Sequence, residues 1–174
     1  MNVPVIETGR LILRGRTMTD FPAYAAMWAD RRLAQFTTID PIGEEEAWTK
    51  FARMEGYWSL TGYGFWIIEE KVSGRLLGEA GLADFKRAIE PSLEGKPEFG
   101  WIIIADAHGQ GIATEAATAA LAWADTRFPT ATMCCIIDPD NAPSIRVAEK
   151  CGFVESARTT YKTKPIIILD RSPS

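Results

Sequence analysis

Between Trp101 and Ala117 the chain reads WIIIADAHGQGIATEAA: an apolar strand, a turn bracketed by Gly109 and Gly111, and an alanine-rich helix that begins at once. No other stretch constrains the fold as much. The helix carries a stripe of Ala113, Ala116, Ala117, Ala120, Leu121 and Ala124, whose small side chains let it sit close to a sheet. Glycine takes positive φ without steric cost, so the turn can aim backbone N–H groups inward. The helix start adds free N–H donors and the positive end of a dipole. Together they form an anion cradle, and phosphate is the expected ligand.

The rest of the chain reads as alternating elements. Leu11–Leu13 is a short opening strand, and Thr19 or Asp20 caps a helix through about Trp28. Glu44, Glu45 and Glu46 open a second helix with Trp48, Phe51, Glu55 and Trp58 at helical spacing. Strands are expected at Phe65–Glu69, Arg75–Phe85, Glu98–Ala105 and Ala131–Ile137, with a long loop from Lys86 to Pro97. Asn141–Cys151 is a helix with Pro143 in its first turn and Gly152 as its stop. Phe153–Lys162 and Pro165–Leu169 close the chain as two strands. The order is β-α-α-β-β-β-α-β-α-β-β. The early strands follow through turns and are expected to be antiparallel, with one parallel pair around the 111–127 helix.

A length of 174 residues fits one domain, read here as the whole chain. A net charge of -4 argues against a nucleic-acid partner, and no apolar run reaches membrane-span length. Cys134, Cys135 and Cys151 are an odd set behind an N-terminus without a secretion signal, which points to free thiols in the cytoplasm. His108 is the sole histidine, so no histidine-rich metal site is expected.

Two phosphate-binding loops can be tested on these residues. The turn lacks the Lys-Ser/Thr of a P-loop. Gly109, Gly111 and Thr114 approach a dinucleotide fingerprint, with Asp138 as the ribose acceptor, but Thr114 stands where close packing wants Gly or Ala.

The order of elements resembles the GNAT superfamily of acyl-CoA-dependent N-acetyltransferases, most closely its RimJ/RimL-like branch, over about Thr8 to Leu169. RLILR at 10–14 is similar to that branch's opening strand, and EFGWIIIADAHGQGIATEA to its strand, loop and helix. DPDNAPSIRVAEKCGF at 138–153 is similar to its second signature. His108 departs from the Gln or Arg of the family's loop.

The resemblance implies an α/β fold whose twisted, mostly antiparallel sheet has one splayed parallel pair and helices on both faces. It implies that acetyl-CoA lies in the splay, held by the backbones of Ile102, Ile103 and Ile104, the loop Gly109, Gln110, Gly111, Ile112, Ala113 and Thr114, and by Asn141 and Ser144. A strand N–H there would also stabilise the developing oxyanion. An amine acceptor, a protein N-terminus or a small molecule, would attack directly. The tyrosine common in the family is Ala148 here; the RimJ/RimL-like branch instead has a serine three residues after its asparagine, and the resemblance implies that Ser144 is the proton donor to sulfur. Glu98 or Glu79 is the candidate base, with Tyr161 a weaker acid, and Phe36 or Trp66 would line the acceptor pocket. Two rival readings remain at this point: an acyl-CoA sensor without turnover, and an NAD-dependent enzyme.

Overall fold

The computed structural model describes residues 3–35 and 40–173. Among them eight strands form one sheet: β1 (Ile6–Glu7), β2 (Leu11–Arg14), β3 (Phe65–Glu70), β4 (Leu76–Ala83), β5 (Glu98–Ile103), β6 (Met133–Ile137), β7 (Val154–Tyr161) and β8 (Lys164–Arg171). The spatial order is β1-β2-β3-β4-β5-β6-β8-β7. Four α-helices complete it: α1 (Phe21–Ala29), α2 (Glu44–Thr61), α3 (Ile112–Arg127) and α4 (Ala142–Lys150). The strand β1 was not expected from the sequence, since two residues carry no periodicity.

Every neighbouring pair is antiparallel except β5 and β6. A lone parallel pair beside antiparallel strands is not the doubly wound sheet of a dinucleotide-binding domain, and the NAD reading is set aside on topology. The two parallel strands share one register position, Glu98 opposite Cys134, where the Cys134 N–H donates to the Pro97 carbonyl at 3.0 Å. Beyond it β6 keeps its ladder with β8 over all five residues and parts from β5.

Strand alternation sorts the core into two layers. Ile67, Leu76 and Ile102 pack under α1 and α2 with Tyr24, Trp28 and Phe51. Leu13, Ile68, Leu77, Phe99 and Ile103 pack under α3 with its alanines. Ala116, Ala117, Ala120 and Ala124 are fully buried, so α3 lies close on the sheet, as its small-residue stripe implies. In α2 the buried stripe is Ala47, Phe51, Met54 and Trp58. It is rotated from the sequence reading: Trp48 is 43% exposed at the rim, edge-on to Phe21.

Trp66 is a second correction. It is fully buried, its ring centroid 4.8 Å from Trp58 and 5.1 Å from Trp123, and its Nε1–H donates to the Pro4 carbonyl. A large aromatic on a central strand goes where it buries most area. Trp66 is therefore a core anchor and lines no acceptor pocket. Phe36 lies outside the described residues.

At Gly81 a Cβ would meet the Gly64 carbonyl oxygen at 2.2 Å and the Phe65 Cα at 2.5 Å. Both are backbone atoms that cannot swing aside, so Gly81→Ala is expected to cost about 3 kcal/mol of stability, measured by denaturant unfolding; a cost below about 1 kcal/mol contradicts this close approach of β3 and β4.

Candidate active site

The site begins with the backbone of β5. Bonded pairs alternate along an antiparallel ladder, so every second residue of β5 turns its N–H and C=O toward β4. The Ile104 N–H donates to the Leu77 carbonyl at 2.8 Å, and the Ile102 carbonyl oxygen lies where a Cβ on Gly78 would stand. The backbones of Ile102 and Ile104 thus face β4 and not the gap. This corrects the expectation for two of the three isoleucines. The residues that alternate with them, Trp101 and Ile103, present their backbones to the gap. The His108 Nε2–H donates to the Ile103 carbonyl at 2.8 Å. His108 is therefore folded back onto the end of β5, half-buried, rather than extended beside a phosphate.

After Ile103 a short 3-10 turn, Ala105–Ala107, leads into the glycine loop. Gly109 has φ 73° and Gly111 φ 76°, the left-handed region that favours glycine. Gly111 is the N-cap of α3 and offers no side-chain cap. The first N–H groups of α3 have no intrahelical partner and need an external acceptor. Thr8, Gly111, Thr114, Glu115, Thr118 and Lys150 border an open groove of about 590 Å³ that runs from this end of the helix along α3 to Ala122. Donors without a cap, a helix dipole and a groove fit the pyrophosphate of a coenzyme A.

The other helix that borders the gap begins differently. Asn141, the buried N-cap of α4, accepts from the Ser144 N–H with its side-chain oxygen at 3.1 Å. This is ordinary N-capping. The Ser144 side chain is half-buried at the first turn of α4.

Both candidate carboxylates lie on the α1–α2 face, and neither is solvated as a strand carboxylate normally is. Glu79 is 2% exposed, receives the Tyr24 hydroxyl at 3.2 Å and stands 3.4 Å from Arg16, itself enclosed and stacked on Phe51. Glu98 is 6% exposed, and Arg87 grips it through two N–H groups. Burial pushes the Glu98 carboxyl above the usual glutamate range, against the pull of Arg87. A cavity of about 210 Å³ under the 86–97 loop is bordered by Glu98 with Asp84, Phe85, Arg87, Leu93 and Lys96. Tyr161 stacks on Arg87, with the guanidinium carbon 5.0 Å from the ring centroid. Arg87 was missed in the sequence because a lone arginine in a loop has no motif; its signal was the buried strand carboxylate that needs a cation.

Cys134 sits fully buried where β5 and β6 separate, and burial pushes its thiol up to about 12. A thiol this hard to ionise is not a nucleophile at neutral pH. Cys135 points into the opposite layer, as adjacent strand residues must. Among the described residues no cluster of His, Cys, Asp and Glu could hold a metal, and no helix is long and apolar enough to cross a membrane.

Residues 10–154 match the acetyltransferase (GNAT) domain, and the chain belongs to that family. The uncharacterized protein YkkB of Bacillus subtilis is 35% identical over 114 residues, a match spanning 63% of this chain and 63% of that relative. A GnaT-family acetyltransferase from Bordetella pertussis is 29% identical, with a TM-score of 0.85 over 97% of this chain and 99% of the other. The structural neighbours include RimL, the ribosomal L7/L12 alpha-N-protein acetyltransferase in complex with coenzyme A, at 17% identity and a TM-score of 0.78 over 98% of each chain. The sheet with its single parallel pair is the GNAT fold.

The Arg87–Glu98 pair supplies a stability prediction. Arg87→Ala leaves a buried carboxylate without its cation and is expected to cost about 3 kcal/mol near pH 8. The native state then holds the Glu98 proton more tightly than the unfolded chain does. The deficit therefore grows as pH rises through the raised folded-state value and shrinks as pH falls toward the ordinary glutamate range. Unfolding curves at several pH values check this, and a deficit independent of pH contradicts it.

Proposed function

We propose that this chain is an acetyl-CoA-dependent N-acetyltransferase of RimJ/RimL-like type, acting on a primary amine that is either a protein N-terminus or a small molecule. Acetyl-CoA supplies the acetyl thioester that the amine attacks. The observation that carries the reading is the gap itself. Its closed end is the Glu98–Cys134 contact and its open end adjoins the uncapped start of α3. Between Glu98 and Ile103 the gap runs five strand steps, about 16 Å. One wall is lined by main-chain groups that no strand takes up, which suits an extended arm bearing amides.

The chain's own residues divide the work. Gly109 to Thr114 hold the phosphates through backbone N–H groups. Trp101 and Ile103 offer backbone partners along the arm, and a strand N–H there is available to the oxyanion. Glu98 is the base that receives the amine's proton, directly or through a water. It stands at the closed end of the gap and opens onto a cavity, and burial raises its affinity for a proton toward that of a useful base. Glu79 is enclosed between Tyr24 and Arg16 and serves as the counter-charge of Arg16. Ser144 donates a hydrogen bond from its hydroxyl to the leaving sulfur, which takes its proton from solvent, and Asn141 keeps the start of α4 in place for it.

Steady-state kinetics over a panel of amines test this assignment. Glu98→Gln is expected to lower kcat about 100-fold with the KM for acetyl-CoA within twofold, and Glu79→Gln to leave kcat within about threefold in protein that stays folded. In the unsubstituted enzyme kcat/KM falls on the acid side of a limb lying above the ordinary glutamate range, because the base must be ionised. Equal losses from the two glutamine variants overturn the choice of base. Ser144→Ala is expected to lower kcat more than it weakens acetyl-CoA binding; unchanged turnover removes Ser144 from the reaction. Tight acetyl-CoA binding with no turnover on any amine would make the chain a sensor.

A further inference from the structure

The glycine loop itself, Gly109 to Thr114, carries no charged side chain, yet an arginine from the far end of the chain reaches it. Arg10 begins the turn into β2, about a hundred residues before the loop. Its Nη1–H donates to the Gln110 carbonyl at 2.9 Å, and its Nε–H to Glu115 at 2.6 Å. Glu115 also accepts from the Thr8 hydroxyl at 2.6 Å and the Arg10 backbone N–H at 2.9 Å. One fork thus ties the middle residue of the Gly-Gln-Gly turn to the first turn of α3 and to the β1–β2 connection.

The consequence follows from peptide planarity. In a trans peptide the C=O and the next N–H point in opposite directions. Fixing the Gln110 carbonyl on Arg10 therefore fixes the Gly111 N–H away from Arg10. Both glycines around Gln110 are conformationally permissive, so without an outside hold this peptide could flip. Arg10 also offsets the charge of Glu115, a carboxylate in the first turn of the helix whose start is to receive phosphates. We propose that Arg10 is a positioning residue for coenzyme A, locking the Gln110–Gly111 peptide in its anion-binding orientation through Gln110 and Glu115 rather than touching the phosphates. This rests on the reading of the loop as a pyrophosphate cradle.

Binding measurements test it without turnover. Arg10→Ala is expected to weaken coenzyme A about tenfold by calorimetry, the loss of one oriented, charge-assisted contact. Pantetheine, which lacks the phosphates, should keep its affinity within twofold by ligand-observed NMR. Arg10→Lys should not rescue coenzyme A binding, because an ammonium carries the charge but cannot span both acceptors in the plane of a fork. If Arg10→Ala does not fold, Arg10→Met, which keeps the aliphatic stem and lacks the fork, replaces it, with the same selective loss required. Unchanged coenzyme A affinity, an equal loss for pantetheine, or full rescue by lysine overturns the proposal. An unsubstituted chain that binds pantetheine but no coenzyme A overturns it too, and one that binds neither overturns the acetyltransferase reading beneath it.

Discussion

The structure depends on one strand that loses its partner. β5 keeps its ladder with β4 along its whole length but touches β6 at a single register position. A central strand with open N–H and C=O groups is costly unless something completes it, because unpaired buried backbone polar groups are penalised. The protein limits this exposure at both ends. At the closed end the Pro97 carbonyl takes the Cys134 N–H, and beyond the open end His108 turns back to donate to the Ile103 carbonyl. What is left between them is a short run of main chain whose natural complement is another extended chain with amides.

The α1–α2 face carries a second constraint. Two carboxylates and two arginines are enclosed there, paired as Glu79 with Arg16 and Glu98 with Arg87. Such pairs add little net stability, since desolvation consumes most of the Coulomb gain. Their two carboxylates stand on the adjacent strands β4 and β5, and the place of the pairs is easier to understand from the site. The two pairs differ in a way that matters: Arg87 approaches Glu98 with two short bonds, whereas Arg16 meets Glu79 at 3.4 Å and spends its other contacts on the Phe51 and Phe65 carbonyls. One pair opens onto a cavity and the other is sealed by Tyr24 and Phe51.

Much of this was legible in the sequence. The strand, glycine turn and alanine stripe of 101–124 fixed where the sheet meets α3, because each feature has a local cause: period-two apolarity, positive φ and small helix-facing side chains. The capping asparagine and Pro143 marked the start of α4 for the same reason. Other features depend on partners distant in sequence and are not legible locally. Which backbone groups of Ile102, Ile103 and Ile104 face the gap depends on the register with β4, and register is a property of two strands. Trp66 was assigned to a pocket because aromatic side chains suit both pockets and cores, and only the positions of Trp58 and Trp123 decide between them. The stripe of α2 was offset by one residue because Trp48 weighs heavily in any apolar pattern, while the helix phase is set by Ala47 and Met54.

The residues hardest to read from sequence are the two arginines that brace the ends of the gap. Arg10 holds the glycine loop at the open end and Arg87 holds Glu98 at the closed end. Neither belongs to the strand or helix it braces, and both act through a planar fork that bonds two acceptors at once. That division has a mechanical logic. A strand pair that must part cannot use its own ladder to fix the distance between its walls, and glycine-rich turns cannot hold their own shape. The rigidity has to come from side chains anchored elsewhere: Arg10 from the β1–β2 turn, itself tied to α3 through Thr8 and Glu115, and Arg87 from the loop that roofs the cavity, stacked on Phe85 and Tyr161. In this chain the flexible parts of the site are local in sequence, and the parts that hold them still are distant.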